Sequence, residues 1–231
     1  MRRLLAPLLL LAAAPAPQDE RAYMFTGFDR LRVDGPFTVD VETGSPGATA
    51  TGDPRALDRL SLRVEGGTLV VNTGTTGWEL RAGESAAGTK IRIRTTSLRS
   101  VLVNGGANVH IAEMRVPRVD IALNGGGAIH VDRVQADDTN VSLIGTGAIT
   151  LGGATLKGRV RAHGAGSVDA SALTANEATL ISETSGEVRM KVRYTARVMA
   201  LGAGLVGVTG QPECTVSGPG PVECEGKVIR R

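Results

Sequence analysis

The chain has 231 residues, of which 31 are glycine, and aromatic residues make up only 3% of it. Abundant glycine without Ser/Pro-rich tracts is typical of a protein with many turns and not of a disordered chain. The 26 basic and 23 acidic residues nearly balance, and two of the basic ones are Arg2 and Arg3. Nucleic-acid binding requires a basic face, so we expect no nucleic-acid partner.

The N-terminal segment has the pattern of a secretory signal peptide, predicted over residues 1–17. Arg2 and Arg3 precede the apolar run Leu4–Ala14, and small residues follow it. That run is shorter than the roughly 20 residues that a transmembrane helix needs, and more than one cleavage site fits. We expect secretion across the inner membrane to the periplasm or the outer cell surface. Residues 18–231 are then one continuous domain, with no transmembrane segment in the mature chain.

Residues 18–97 predict less regular N-terminal strands that cap the fold. The segments FDRLRVDGPFTVDVETG and LSLRVEGGTLVVNTG each predict a pair of strands joined by a glycine-containing turn. A short turn is predicted at Ala56–Leu60, and the polar, glycine-rich segment Gly74–Gly88 is predicted to be an exposed loop. A cap is expected because an uncovered sheet edge invites pairing between molecules.

From Leu98 onward one phrase recurs seven times, with a Gly-x-Gly turn between two apolar strands. The second small residue of the turn recurs at steps of 20, 20, 19, 20, 18 and 16 residues, from Ala107 to Gly220. Glycine in such turns suits backbone with positive φ, where a Cβ would cost energy. The predicted structural turn glycines are Gly105, Gly125, Gly127, Gly145, Gly147, Gly164, Gly166, Gly186, Gly202, Gly204, Gly218 and Gly220.

The residues around each turn alternate between apolar and polar with period two, as strands do. One apolar column, six positions before the second turn glycine, contains Val101, Ile121, Val141, Val160, Leu180, Val198 and Cys214. Stacked units bury a continuous core that a single unit cannot form. Residues 98–231 therefore predict an all-β fold, a right-handed parallel β-helix with about 18–20 residues per coil. A large antiparallel sheet is the alternative, but its hairpins would favour a doubled repeat.

The recurring Gly-x-Gly-x-Val/Ile phrase, preceded by FDRLRVDGPFTVDV and EGGTLVV, resembles a family of bacterial envelope proteins, the putative autotransporter adhesin, head GIN domain family. The resemblance covers about Phe25 to Gly226. It implies an exported β-helical fold with no established biochemical activity and no catalytic residues to transfer. The chain departs from the pattern at Thr184, where the first turn glycine is missing, and in its two closing cysteines.

Cys214 and Cys224 are the only cysteines, and both occupy columns whose side chains should point inward. In an oxidising compartment they are predicted to form a disulfide that closes a loop of about ten residues. Such a bond would stabilise the last coil by about 2–3 kcal/mol. Two buried free thiols are the alternative.

His110 and His130 share one outward column on adjacent coils. Two imidazoles at that separation could bind a metal weakly. The column continues with Thr150, Asp169 and Arg189, however, which supplies no nearby third ligand, whereas a zinc site uses three or four protein ligands. We therefore predict a solvated polar ladder and no metal site.

Other chemistry-bearing patterns fit the repeat better than they fit a catalytic site. Asn104 and Asn124 share a column, where an amide ladder would cross-link the coils through hydrogen bonds. The segment Gly202–Gly207 matches a dinucleotide-binding fingerprint but lacks the strand–helix context that this motif requires. Acidic residues do not stack on successive coils. We therefore predict no catalytic residues, no cofactor and no enzyme activity.

These observations predict an exported, non-enzymatic envelope protein, an adhesin-like module that binds an unknown macromolecule through its long flat faces. An envelope glycan or protein is the expected kind of partner, and the binding residues are not predicted. The alternative is a polysaccharide-binding or polysaccharide-degrading β-helix protein. That protein would need acidic residues and arginine clustered in a groove near Gly74–Gly88.

Overall fold

The computed structural model describes residues 19–74 and 88–231, which form an almost entirely β structure. The predicted signal peptide and the interior of the predicted loop at Gly74–Gly88 lie outside the described residues. Within the described ranges, no helix has the length and apolar character that a membrane span requires.

Within residues 19–74 and 88–95, seven strands and one short helix form the N-terminal part of the described structure. Their bounds are Asp19–Met24 (β1), Arg30–Asp34 (β2), Thr38–Thr43 (β3), Gly47–Gly52 (β4), Pro54–Arg59 (α1), Leu60–Glu65 (β5), Thr68–Thr73 (β6) and Lys90–Thr95 (β7). The Asp53 side chain accepts a hydrogen bond from the backbone N–H of Arg55, and a proline in the first turn also favours the start of α1. The short turn predicted at Ala56–Leu60 is thus a helix that begins two residues earlier and buries Leu57.

The remaining strands pair in parallel with the coil before and the coil after. Their bounds are Ser100–Asn104 (β8), Asn108–Arg115 (β9), Arg118–Gly125 (β10), Ala128–Gly145 (β11), Ala148–Gly164 (β12), Ser167–Thr184 (β13), Val188–Ala200 (β14), Val206–Thr209 (β15), Glu213–Ser217 (β16), Val222–Cys224 (β17) and Lys227–Arg230 (β18). Strands β11 to β13 turn a corner of the coil, so their first and second halves pair on different faces. The predicted right-handed parallel β-helix is confirmed.

Equivalent apolar side chains lie on top of one another along the helix axis. Ile129 pairs with Ile149 and Val131 pairs with Leu151 between strands β11 and β12, and all four side chains are buried. Successive residues of a strand point to opposite sides, so every second side chain enters the core. Burying each such aliphatic side chain stabilises the folded state by about 1.5–3 kcal/mol. The predicted apolar columns therefore hold the coils together.

The N-terminal coils are wound out of sequence order. Strand β2 lies between β6 and β8, and β3 lies between β7 and β9, in parallel register on both sides. Strands β4 and β5 pair with β7 and β6 in antiparallel register, and β1 pairs with β4. The predicted pair within LSLRVEGGTLVVNTG is the hairpin of β5 and β6. The predicted pair β2 and β3 instead lies on two successive faces of one coil, because each strand pairs with different neighbours.

Both glycines of a turn are required by the close approach of successive coils, and the first of them also by its backbone φ. Gly125 has a φ of +131°, in the region that favours glycine, whereas the φ of Gly127 is ordinary. A Cβ on Gly127 would clash with the carbonyl oxygen of Ala107 in the preceding coil. Positive φ is therefore the wrong reason for the second glycine, which is required by the close approach of successive coils. The same clash with a backbone carbonyl recurs at Gly147, Gly166, Gly186, Gly202, Gly204 and Gly220.

The last coil departs from the predicted register. Cys214 pairs with Ala196, 18 residues earlier, whereas Val222 pairs with Val206, 16 residues earlier. The prediction that Cys214 stacks on Val198 is therefore wrong, because the last turn is two residues shorter than the turn before it.

A disulfide joins Cys214 on β16 to Cys224 on β17, with the two Cα atoms 6.7 Å apart. Cys214 is fully buried and Cys224 is half-buried. The bond therefore connects the strands on either side of the last turn.

Candidate functional site

Two outward faces of the helix present side chains in regular columns. Strands β2, β8 and β10 and the second halves of β11 to β14 form face A, before the turns. Strands β3 and β9 and the first halves of β11 to β14 form face B, after the turns. Equivalent positions of successive coils lie about 4.8 Å apart on each face, so polar groups in one column contact each other along the axis.

On face A the predicted amide ladder forms and extends by one coil. The Asn124 amide donates a hydrogen bond to Asn104 Oδ1 (3.0 Å), and the Asn104 amide donates one to Asp34 Oδ1 (2.6 Å). Asp34 also accepts a hydrogen bond from Arg32 Nε at 2.8 Å. Asp34 was not predicted as part of the ladder because only the out-of-order winding places β2 beside β8. Since these groups bond to each other, the ladder cross-links the coils.

A second polar column on face A is open to solvent. Asn140 donates a hydrogen bond to Asp120 Oδ1 (2.8 Å), and Arg159 of the next coil pairs in register with Asn140. Arg161 lies two residues along the same strand. Among the described residues, neither Arg159 nor Arg161 has an ion-pair partner. A shallow depression of about 610 Å³ covers this region. We call its polar residues the face A patch: Ser100, Asp120, Asn140, Ser142, Arg159 and Arg161.

On face B the two histidines lie side by side, as the shared column predicts. His110 and His130 pair in register on β9 and β11. Their rings stack with centroids 5.5 Å apart and an angle of 25° between the planes. Both side chains are about half exposed, at 46% for His110 and 52% for His130.

Asp132 places its carboxylate against both rings. Its Oδ2 lies 3.0 Å from His110 Nε2, and its Oδ1 lies 2.9 Å from His130 Nε2. On the other side of His110, Asp40 Oδ1 lies 3.5 Å from Nδ1. The hydrogen bond with His110 is the main cause that lowers the pKa of Asp132, and the charges of both histidines act in the same direction. These four residues form the histidine–aspartate cluster.

The backbone of β11 explains why one carboxylate reaches both rings. Asp132 follows His130 by two positions, so the two side chains leave the same side of the strand. The strand also bulges here, because Asp132 and Arg133 lie opposite the single residue Gly152 of β12, and a bulge re-aims the side chains that it carries. One potential ligand atom from each of His110, His130 and Asp132 lies within 4.8 Å of the other two, an arrangement that a metal ion could occupy.

Asp132 was not predicted as a third ligand because it lies outside the column that the two histidines share. Asp132 lies in the neighbouring column and reaches across the bulge. The spacing His130-x-Asp132 on an alternating strand is the signal that could have revealed it, since that spacing places both side chains on one face.

The other residues considered in the sequence lie apart from this cluster. His163 is on face A, where its Nδ1 lies 3.4 Å from Glu183 Oε2. Asp169 is on face B, and hydrogen bonds from Ser171 lower its pKa. The segment Gly202–Gly207 forms a turn and the start of β15.

Comparison with solved structures finds the same fold at low sequence identity. A putative adhesin from Bacteroides fragilis is 16% identical, with a TM-score of 0.73 over 94% of this chain and 97% of that one. A putative adhesin from Parabacteroides distasonis is 13% identical, with a TM-score of 0.62 over 93% and 97%. A protein described as a putative lipid binding protein, also from Parabacteroides distasonis, is 17% identical, with a TM-score of 0.57 over 94% and 97%. At these identities the likeness establishes the fold alone.

No curated protein matches the chain. A family model matches residues 27–212, which include both faces, the histidine–aspartate cluster and most of the repeats. That family is described as putative auto-transporter adhesin, head GIN domain. The chain belongs to this family, as its repeated phrase and N-terminal strands predict.

Proposed function

We propose that the protein is an exported, non-enzymatic envelope module with an adhesin-like role, and that it binds a macromolecule through the face A patch. The family description and the relatives described as adhesins support a binding role outside the cytoplasm. The disulfide supports an oxidising compartment, the periplasm or the outer cell surface, because such bonds persist there.

The observation that carries the proposal is the continuity of the face A patch across coils. Ser100, Asp120, Asn140 and Arg159 occupy the same position in four successive coils. At about 4.8 Å per coil, they offer hydrogen-bonding groups over a length of about 14 Å. A repetitive partner, such as a glycan chain, is matched by such a row because its own groups recur along its length.

The chemistry of the patch indicates which groups the partner carries. Arg159 and Arg161 project from alternate positions of one strand and so lie on the same side. Guanidinium groups bind carboxylate or phosphate oxygens through paired hydrogen bonds. The amide, carboxylate and hydroxyl groups beside them bind hydroxyl groups. We therefore propose an acidic envelope glycan as the preferred partner.

A glycan array and a pull-down with isolated cell envelopes test this proposal. We expect selective retention of acidic glycans, and about tenfold or greater loss of affinity in the double variant Arg159→Ala/Arg161→Ala, because each charge-assisted hydrogen bond contributes about 1.5–3 kcal/mol. Arg197→Ala is the matched control, since Arg197 follows in the same column two coils beyond Arg159. Background signals throughout, or equal losses in the control, would contradict the proposal.

A further inference from the structure

We infer that His110, His130 and Asp132 form a binding site for a divalent transition-metal ion of the Zn²⁺ class on face B. This site is separate from the face A patch and does not depend on the proposed glycan binding.

The donor set suits such an ion. Two imidazole nitrogens and one carboxylate are the three-ligand combination found in zinc sites that keep one position open. Imidazole also suits copper and nickel ions, whereas Ca²⁺ and Mg²⁺ prefer sites made entirely of oxygen ligands. The cluster therefore favours a transition metal over an alkaline-earth ion.

The distances leave room for the ion after a small adjustment. Metal–ligand bonds of about 2.0–2.1 Å in a tetrahedral site place the ligand atoms about 3.4 Å apart. The two carboxylate–imidazole distances are 3.0 and 2.9 Å. Rotations of these half-exposed side chains would widen the two contacts by about half an ångström and bring the two imidazole nitrogens, which lie within 4.8 Å of each other, to the same separation of about 3.4 Å.

The position of Asp40 is an independent observation that points to a metal ligand. Asp40 Oδ1 lies beside His110 Nδ1, and Nε2 of the same ring faces the carboxylate of Asp132. A carboxylate that accepts the Nδ1 proton keeps Nε2 free to donate its lone pair to a metal. Outer carboxylates orient metal-binding histidines in this way. The Asp40 Oδ1–His110 Nδ1 separation of 3.5 Å is longer than a hydrogen bond, so Asp40 takes up this positioning role when the His110 ring turns towards it on metal binding.

The coils supply these groups from three levels of the stack. Asp40 is on β3, His110 on β9, and both His130 and Asp132 on β11, with parallel register throughout. The rigid sheet therefore sets the separation of the ligands. Because the cluster is on an exposed face, an ion can enter directly, and its fourth position can hold water or a donor group of a partner.

The competing interpretation is a set of ion pairs without metal, in which Asp132 simply accepts hydrogen bonds from the two rings. The two interpretations differ in what they expect when an ion is added. A metal site binds one ion with saturation and moves the Nε2 resonances of both histidines, whereas surface ion pairs do neither.

Isothermal titration of tag-free, chelator-treated protein with ZnCl₂ tests the inference. We expect one saturable site, and histidine ¹⁵N spectra in which the Nε2 resonances of His110 and His130 shift together. Asp40→Asn should weaken binding about tenfold, as for other residues that orient a ligand. His110→Ala, His130→Ala and Asp132→Ala should each weaken it more.

Two variants serve as controls, because each replaces the same residue type outside the site. His163→Ala removes a histidine that also has a carboxylate neighbour, and Asp169→Asn changes a carboxylate on the same face. Both should bind Zn²⁺ as the unchanged protein does, and circular dichroism should show that every variant remains folded. Absence of saturable binding, or equal loss in His163→Ala, would overturn the inference.

Discussion

The hydroxyl of Thr184 donates a hydrogen bond to the carbonyl oxygen of Gly166, one coil earlier, at 2.8 Å. The Thr184 hydroxyl oxygen in turn accepts a hydrogen bond from the backbone N–H of Gly186 at 3.0 Å. Thr184 is buried and occupies the position where neighbouring coils have a glycine. The Thr184 side chain therefore makes two hydrogen bonds within the turn. These bonds explain why a threonine is accommodated at a position where neighbouring coils have glycine.

Thr184→Val should destabilise the protein by about 1–3 kcal/mol. Valine has nearly the same shape as threonine, but it leaves the Gly186 N–H and the Gly166 carbonyl oxygen without their hydrogen-bond partner. Chemical denaturation followed by circular dichroism measures this change. Thr184→Ser keeps the hydroxyl and should retain most of the stability. Equal effects of the two substitutions would show that packing of the methyl group matters more than the hydrogen bonds.

Gly127→Ala should destabilise the protein by about 1–3 kcal/mol or more, because the new Cβ meets the Ala107 carbonyl and the coils must separate locally. Gly106→Ala is the matched control in an equivalent turn, since no atom lies within 4 Å of its added Cβ. Thermal unfolding of both variants checks the prediction. Similar melting temperatures for the two would contradict the close approach of the coils.

Loss of the disulfide should loosen the C-terminal coil. For a loop of ten residues between Cys214 and Cys224, the expected cost is about 2–3 kcal/mol. Amide hydrogen exchange in the double variant Cys214→Ala/Cys224→Ala should rise in strands β15 to β18 and stay unchanged in β8 to β12. Uniform acceleration along the whole chain would contradict a local role.

The contribution of Asp169 to stability should depend on pH. The hydrogen bonds from Ser171, with help from the charge of Arg189, hold its pKa below the usual value of 3.8. Because the pKa is lower in the folded state than in the unfolded state, the ionised carboxylate stabilises the fold at pH values above the unfolded-state pKa. This stabilisation is lost as the pH falls through the folded-state pKa. Asp169→Ala should therefore lower the free energy of unfolding by at most about 1 kcal/mol at pH 7, since the group is partly exposed, and by less in acid.

Nuclear magnetic resonance titration of the Asp169 carboxyl carbon gives a direct check. In Ser171→Ala the side-chain hydrogen bond is lost, so the pKa of Asp169 should rise towards its usual value. An unchanged titration in that variant would exclude the Ser171 hydroxyl as a cause.

The regular coils were predictable because alternation and period are local properties of the sequence. Columns such as Ile129 over Ile149 follow once the repeat is aligned, and the neighbouring histidines follow in the same way. The winding of β2 between β6 and β8 was not predictable, because those pairings join distant segments that carry no repeat. Asp132 was missed because a bulge, which the column pattern does not contain, directs it towards the histidines.

The out-of-order winding at one end has a consequence for how the protein can evolve. Each regular coil contacts only the coils beside it, so duplication or deletion of a segment of about 20 residues between β10 and β14 would preserve a continuous core. The same change among β2 to β7 would break an arrangement in which the chain leaves a coil and later returns to flank it. Relatives should therefore vary in length through their middle coils, while the number of N-terminal strands stays constant.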